Sequence, residues 1–558
     1  MKSWKGFVRG VIVLLAFVVM VPVAGANVSL KNGNFFLNFI DIIYPGGFEP
    51  KIERAYNSMT PYKGIFGNNW GSEYEVFLNV SADGSVVVHE YGGGAENRFT
   101  PAQFNAQELD KAVDSLAAVA QKSGVAGSAS QLAAYKQKLK GDATFRNDEW
   151  EKFRSQGRIK PRQLLVGTKL YSVKFNYQFI TRFQDGYVRQ FDNGRIEKFN
   201  DSGKIARISD KNNNFIDFTY GKDGKLQKVV DNFNRKIFFT FNTQGLVAKI
   251  QGENGKEASY KYNALKQLVY SKDVDNNVYT YSYDKIDNLT QIGYADKTTE
   301  NITYYGPEKG YMVKKDKARD GTVTDYTYEK HGPGVSSVAL DVKGPDGKTI
   351  SSSKYEYHIK TRADGDEWTQ KLVSVLDGEK TETVYSESNG LPLSIKKGGE
   401  ETTFQYDAKG HVTRKASPLE VTELAYDDKA GKVSKVVIYA PGAKAQAKWS
   451  QFQYDAKGNL QFAKNSAGSA VKLFYDANGR IKSLVDQNKR RIDFKYNEHS
   501  KPVEISDPSL GTIKVSYTNS GEIKKVESAS GRKVALQVTS AFQNLLDIIQ
   551  PAGVSLSF

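Results

Sequence analysis

An aromatic side chain recurs every 21 residues along much of this chain, and no other feature narrows the possible folds as far. Phe199, Tyr220, Phe241, Tyr262, Tyr283 and Tyr304 keep the interval. After a less regular stretch through Tyr328, Tyr357, Tyr385, Tyr406 and Tyr426 it returns at Tyr454, Tyr475, Tyr496 and Tyr517. A short fixed period of this kind implies stacked units, each burying its apolar face against its neighbours. An apolar residue stands two positions before most anchors (Phe218, Phe239, Tyr260, Tyr281, Phe404, Phe452, Leu473, Phe494). A polar turn former such as Asp284, Asp407, Asp455 or Asp476 follows, and Gly recurs four positions on, as at 203, 224, 245, 410, 458, 479 and 521.

Rings at i and i+2 lie on one face of an extended segment. Asp-x-x-Gly then supplies a side-chain acceptor for turn amides and a residue that tolerates positive φ, so the chain reverses. Two strands and two turns fill 21 residues, which predicts one antiparallel hairpin per unit. The odd step from Ile205 to Ile208 predicts a β-bulge, because strict alternation would flip the face. No stretch of the array sustains the 3.6-residue period of a helix. The 32 Tyr, 30 Phe and 49 Gly of the 558 residues agree with a turn-rich, mainly β protein. With no Cys, disulfides, thiolate metal sites and thiol catalysis are excluded.

Residues 1–26 read as a signal peptide. Lys2, Lys5 and Arg9 make a positive start, Val11 to Val23 is apolar apart from Pro22, and Ala24-Gly25-Ala26 offers a small-x-small cleavage site after Ala26. The apolar run falls short of the roughly 20 residues that span a bilayer. The expectation is an exported protein, periplasmic, surface-bound or secreted, with no transmembrane helix in the mature chain.

Tyr-Asp-Ala-Lys-Gly-Asn-Leu (454–460) and Tyr-Asp-Ala-Asn-Gly-Arg-Ile (475–481) resemble the YD repeats of Rhs proteins, teneurins and the C components of insecticidal toxin complexes. Gly33-Asn34-Phe35 through Asp41-Ile42, Arg54-Ala55-Tyr56-Asn57-Ser58 and Phe66-Gly67-Asn68-Asn69-Trp70 resemble the domain that precedes Rhs repeats. The resemblance implies a spiral β-sheet wound into a hollow shell, closed at one end by the leading domain. Within that domain Arg54, Tyr56, Gly67 and Trp70 carry the motif as structural residues. No Asp-Pro-x-Gly-Leu-like motif follows Tyr517, so the self-cleaving aspartates of Rhs toxins are not carried over. The implied organisation is a signal peptide (1–26), an Rhs-type N-terminal β domain (27–101), a helical insertion (102–163) and a YD-repeat β-shell (164–558).

Within the insertion, Asn105-Ala-Gln-Glu108 is spaced as a capping box, and Leu109, Val113, Leu116 and Ala120 fall on one helical face. Gly124 to Gly127 breaks that helix. Leu132, Tyr135 and Leu139 make a second stripe, and Trp150 with Phe153 a shorter third. The expected role is a helical hairpin packed on the shell mouth or on itself, with a partner-docking arm as the sharper reading.

Catalytic constellations are scarce. His89, His331, His358, His411 and His499 are scattered, and neither a nucleophile elbow nor a phosphate loop occurs. Asp273-x-Asp275-x-Asn277 has calcium-loop spacing, but Val278 occupies the required Gly position. Asp364, Asp366 and Glu367 beside Trp368 are the densest carboxylate cluster and the one candidate for glycoside hydrolysis. The net charge of +15 is spread over turns, with Lys489-Arg490-Arg491 the only tight cluster. Spread charge of this sort points to a solvated surface or to adhesion on anionic polysaccharide or envelope surfaces, not to nucleic acid. The functional expectation is therefore a non-enzymatic envelope shell for surface binding, scaffolding or encapsulation, without cofactor or metal. The alternative is a toxin-delivery or competition component that encloses a separately encoded polypeptide, and the third reading is a glycan hydrolase.

Overall fold

The turn chemistry shows how a repeat becomes a hairpin. Asp455 Oδ1 accepts the backbone N–H of Lys457 (2.9 Å) and Asn459 (2.8 Å), and Oδ2 accepts Asn459 Nδ2 (3.0 Å). Gly458 sits at φ +75° in the same turn. Strands Lys448–Tyr454 and Leu460–Asn465 flank it, and Asn465 closes the next turn in the same manner onto Ala470–Tyr475. Asp284 and Asp476 repeat the arrangement. The bulge lies where the odd step predicts it: Lys198 pairs with Arg207 and Phe199 with Ile205, leaving Ala206 as the extra residue. The computed structural model describes residues 27–528 apart from 45–47, 93–94, 103–104, 161, 173–177, 254, 499, 508–510 and 518–522. The signal peptide with Ala24 and Ala26, and His499, lie outside the described residues.

The anchor tyrosines do more than bury a ring. Tyr475 donates its hydroxyl to Leu460 O at 2.7 Å, and Leu460 lies beyond the last ladder pair between its strand and the next, Phe462 with Lys472. The bulged end of a strand leaves that carbonyl without a backbone partner, and the following unit supplies one. Tyr220, Tyr262, Tyr283, Tyr304, Tyr426, Tyr454, Tyr496 and Tyr517 make the equivalent bond at 2.6–2.9 Å, and Tyr406 does so at 2.5 Å. Phe199 and Phe241 keep the ring without the stitch. Tyr475→Phe is therefore expected to cost about 1 kcal/mol, the worth of one neutral hydrogen bond. Urea denaturation checks this, and an unchanged midpoint would show that the ring alone does the work.

The leading segment divides between two sheets. Strands β1 (Asn27–Ser29), β2 (Asn34–Ile43), β3 (Lys51–Asn57) and β6 (Trp70–Ser72) form a four-stranded sheet, with β4 (Lys63–Gly64) and β5 (Gly67–Asn68) as a short ribbon. Strands β7 (Phe77–Val80), β8 (Val86–Glu90) and β9 (Ala95–Thr100) belong instead to the shell. There β9 pairs with Lys169–Ser172, and an unbroken antiparallel ladder continues to Ile523–Ser528. The first strand then folds back on the wall. Phe77 bridges Lys204, and Leu78 N–H donates to Gly203 O at 2.8 Å.

Later hairpin tips stack on earlier ones. Asn212 and Asn459 exchange side-chain hydrogen bonds (3.1 and 3.4 Å), and Asn214 Nδ2 donates to Asn478 O at 3.2 Å. His411 stands between Asp407 (3.0 Å) on its own tip and Asp192 (3.5 Å) on the earlier one. One spiral turn thus takes about 20 strands, which at about 4.8 Å each gives a wall roughly 30 Å across.

The insertion forms α1 (Ala106–Lys122), α2 (Ala129–Gly141) and α3 (Ala143–Ser155). Asn105 caps α1 by accepting from Gln107 and Glu108 N–H, but Glu108 bonds Lys111 and Arg162 instead of returning to the cap. The reciprocal capping box forms at Ser128 and Gln131 on α2. The predicted stripe packs: Leu109, Val113, Leu116, Ala120, Leu139, Trp150 and Phe153 share one core with Ala82 of the shell.

Candidate functional site

The four motif residues of the leading domain meet the shell wall. Arg54 pairs with Asp41 through Nε and, at 2.9 Å, through Nη2, and both side chains are buried, at 0 and 1 % exposure. Nη2 also reaches Ser271 Oγ at 3.1 Å, and the guanidinium lies over Phe39, Trp70 and Tyr260 at 5.0–5.4 Å. Trp70 Nε1 donates to Tyr283 OH (2.8 Å), and Tyr56 OH donates to Asp287 O (3.0 Å). Gly67, at φ +100°, lies so close to the wall that a Cβ there would stand 2.5 Å from Lys266 O. The leading sheet is thus bonded to inward-facing residues of the repeats and seals that part of the interior.

Elsewhere the same face is uncovered. Residues opposed in an antiparallel ladder share a face, so register traces the inner wall outward from the core. One row runs Val338, Tyr355, Ser374, Thr381, Lys397, Glu400, and another Ser336, Tyr357, Leu372, Thr383, Ile395, Thr402. Tyr355 and Tyr357 pack on the main core at the near end. Among the described residues no hydrophobic side chain between Val338 and Val421 is fully buried, and the buried members of a second core begin only at Val433. Asp316, opposite Ile302 on this face, has a buried Oδ1 without a hydrogen-bond partner. Burial, with the Glu300 charge adding, pushes its carboxyl up to about 7. Lys415 replaces the usual aliphatic residue opposite Phe404. The wall here is hydroxylated, charged and half-exposed, unlike the packed segments on either side.

The carboxylate cluster has another setting. Asp364 and Asp366 reach Arg98 of β9 at 3.0 and 3.7 Å, and Asp364 O accepts Arg146 Nη2 of α3 at 2.9 Å. Ala143 N–H donates to Gly365 O at 3.1 Å. Asp83 joins both arginines at 2.6 and 3.3 Å; although burial opposes it, Arg98, Ser85 and Arg146 hold its carboxyl at about 2. Glu367 stands exposed at the start of its strand. The cluster is thus an arginine-bridged clasp between the helical arm and a distant hairpin tip, and Trp150 Nε1 adds a bond to Val80 O at 2.9 Å. A cleft of 860 Å³ opens beside it, lined by Arg98, Arg162, Leu164, Leu165, Arg362 and Asp364 among others. Sequence reasoning saw the acidic tip but not the clasp, because Arg98 and Asp364 come together only through the winding of the sheet.

Asp273 accepts from Asp275 and Asn277 N–H and from Asn277 Nδ2, so its calcium-like spacing serves a hairpin turn. Among the described residues no group of three His, Asp or Glu side chains is placed to hold a metal ion, and no helix is long and apolar enough to cross a membrane.

Hairpins stitched in series, wound over themselves and sealed by a leading sheet define the class of β-shell proteins. The teneurin YD-shell family model matches residues 420–558, and a domain of unknown function, DUF6531, matches residues 25–99. The two matched stretches, one at each end of the chain, support the resemblance to Rhs/YD-repeat shell proteins. Among curated proteins it is similar to the tRNA3(Ser)-specific nuclease WapA of Bacillus spizizenii, 25% identical over 224 residues that cover 39% of this chain and 8% of that protein. It is also similar to the tRNA nuclease WapA of Bacillus subtilis, 26% identical over 215 residues, 34% of this chain and 9% of that one. The matches thus span under a tenth of these relatives' length. Two solved structures align over most of the chain. The TcdB2-TccC3-TEV crystal structure does so at 11% identity and TM-score 0.42, covering 97% of this chain and 30% of that one. The Photorhabdus luminescens Tc holotoxin pore does so at 10% and 0.42, covering 91% and 28%.

Proposed function

We propose that this protein is a container: a toxin-related shell, without catalytic chemistry of its own, that encloses a polypeptide against its uncovered inner wall. One observation carries the reading. Beyond Tyr355 and Tyr357, which pack on the main core, the inward face up to Glu420 bears mainly Ser, Thr, Lys and Glu and, among the described residues, no fully buried hydrophobic side chain, while packed cores flank it on either side. A wetted, weakly apolar wall holds an unfolded chain without gripping it, since few contacts there would favour one bound conformation. Export to the envelope forms part of the proposal and rests on residues 1–26. Adhesion to anionic glycans is supported by the net charge alone.

The absence of Cys permits a direct test. Ser374→Cys places one thiol on the inner face, opposite Tyr355 and Thr381, and Lys380→Cys places one on the outer face. A small maleimide is expected to label both. A bulky polyethylene-glycol maleimide is expected to label the outer thiol normally and the inner one at least tenfold more slowly. Equal labelling of the two by the bulky reagent would mean that the wall encloses nothing.

A further inference from the structure

The seam between successive spiral turns holds a second cleft, of 370 Å³, that neither the repeat chemistry nor the enclosing wall explains. Lys211 enters it from an early hairpin tip and Lys432 from a late one. Lys211 Nζ donates to Gly458 O at 2.6 Å, which points its ammonium into the seam. Among the described residues neither ammonium forms an ion pair with a carboxylate.

The acidic groups nearby are occupied. Asp210 accepts from Asn212 and Asn214 N–H, Asp427 from Lys429 and Ala430 N–H, and Asp455 from Lys457 and Asn459 N–H. Asp192 is shared with His411, whose imidazole Asp192 and Asp407 hold in its charged form to higher pH than usual, against burial. Lys429 and Lys457 add positive charge at the rim. Two half-buried ammonium groups face each other while Asp210, Asp427 and Asp455 are bound to their own turns and Asp192 to His411. Burial, with repulsion from Lys432 adding, brings Lys211 down to about 8, and burial lowers Lys432.

An acceptor carrying several negative oxygens would relieve this arrangement by taking charge-assisted hydrogen bonds from both lysines at once. We propose that the seam cleft binds a tetrahedral oxyanion, phosphate or a phosphate monoester, which bridges Lys211 and Lys432 and pins one spiral turn to the next. The volume leaves room for a sugar-sized substituent on the phosphate. The proposal is independent of what the shell encloses.

Isothermal titration calorimetry on the full chain tests it, using sodium phosphate, glucose 1-phosphate and sodium sulfate against sodium chloride of equal ionic strength. One site per chain is expected, with a higher thermal midpoint in phosphate than in chloride. Lys211→Gln and Lys432→Gln are each expected to weaken binding about tenfold or more, while Lys348→Gln, at a position whose side chain is 86% exposed, leaves it unchanged. Binding of both phosphate compounds assigns the site to a monoester, and binding of inorganic phosphate alone assigns it to the free ion.

Sulfate keeps its charge across the alkaline range and reads the lysines in the unaltered protein. Its affinity is expected to fall as pH rises through about 8, where Lys211 loses its proton. Loss of the His411 proton acts in the same direction. Absence of a phosphate or sulfate effect beyond chloride would overturn the proposal. So would binding that survives the double Lys211→Gln/Lys432→Gln change, or a sulfate affinity that is flat across that pH range.

Discussion

Arg54→Ala is expected to destabilise the protein by about 3–5 kcal/mol, the loss that follows when one partner of a fully buried ion pair is removed. The substitution strands Asp41, 1 % exposed, without its guanidinium. Tyr260 OH, at 2.7 Å, then remains as a donor to Asp41 Oδ2, too little for a buried carboxylate. It also opens a hole beneath Phe39 and Trp70, which stack on the guanidinium. Because Ser271 and Tyr260 belong to the repeats, the damage falls on the joint between leading sheet and wall. Urea denaturation measures the loss, and faster proteolysis within residues 27–72 would locate it. The paired change Arg54→Met with Asp41→Leu should recover much of the stability, since it leaves no buried charge alone. A drop below about 1 kcal/mol in the single variant would show that water reaches the site and that the sheet is not a seal.

Gly203→Val is expected to cost about 3 kcal/mol by lifting β7 off the wall. Gly203 has φ +78°, a region that a β-branched residue occupies only under strain, and its Cβ would stand 2.1 Å from Leu78 O. That oxygen belongs to backbone, so it can withdraw only if the strand moves and the bond from Leu78 N–H to Gly203 O breaks. Gly224→Ala is the matched control. It occupies the same turn position at φ +74°, but its nearest neighbour is the flexible end of Lys204 at 3.0 Å, so only the backbone strain of about 1 kcal/mol applies. Hydrogen exchange at the Leu78 amide should accelerate in the first variant and not in the second. Equal losses in both would mean that the fold-back contact contributes nothing to closure.

Much of this architecture was readable beforehand because its physics is local. An aromatic pair at i and i+2, an acid and a glycine three residues apart and an odd aliphatic step specify strand, turn and bulge within 21 residues, whatever surrounds them. The helical stripe of Leu109, Val113, Leu116 and Ala120 is equally local, and it packs as spaced. The hydroxyl bond of the stitching tyrosines, such as Tyr475 to Leu460 O, was not readable, because its acceptor sits in the preceding unit and its need arises from a bulge that leaves a carbonyl bare. The capping box moved from Asn105 to Ser128 because Arg162 and Lys111 compete for Glu108.

Long-range meetings divide along the same line. Neither Arg98 with Asp364 nor Lys211 with Lys432 carries any sign in the residues around it. Their encounter depends on how many strands complete one circuit, and that number follows from twist and coiling summed over the whole sheet. By itself the amino-acid order determined that this chain builds hairpins in series, with which faces buried and where each turn falls, since those choices rest on neighbours a few residues apart. Only the tertiary structure decided where the sheet meets itself, which acids clasp and which stay turned inward, and that a bare polar wall remains, because closure is a property of the accumulated curve.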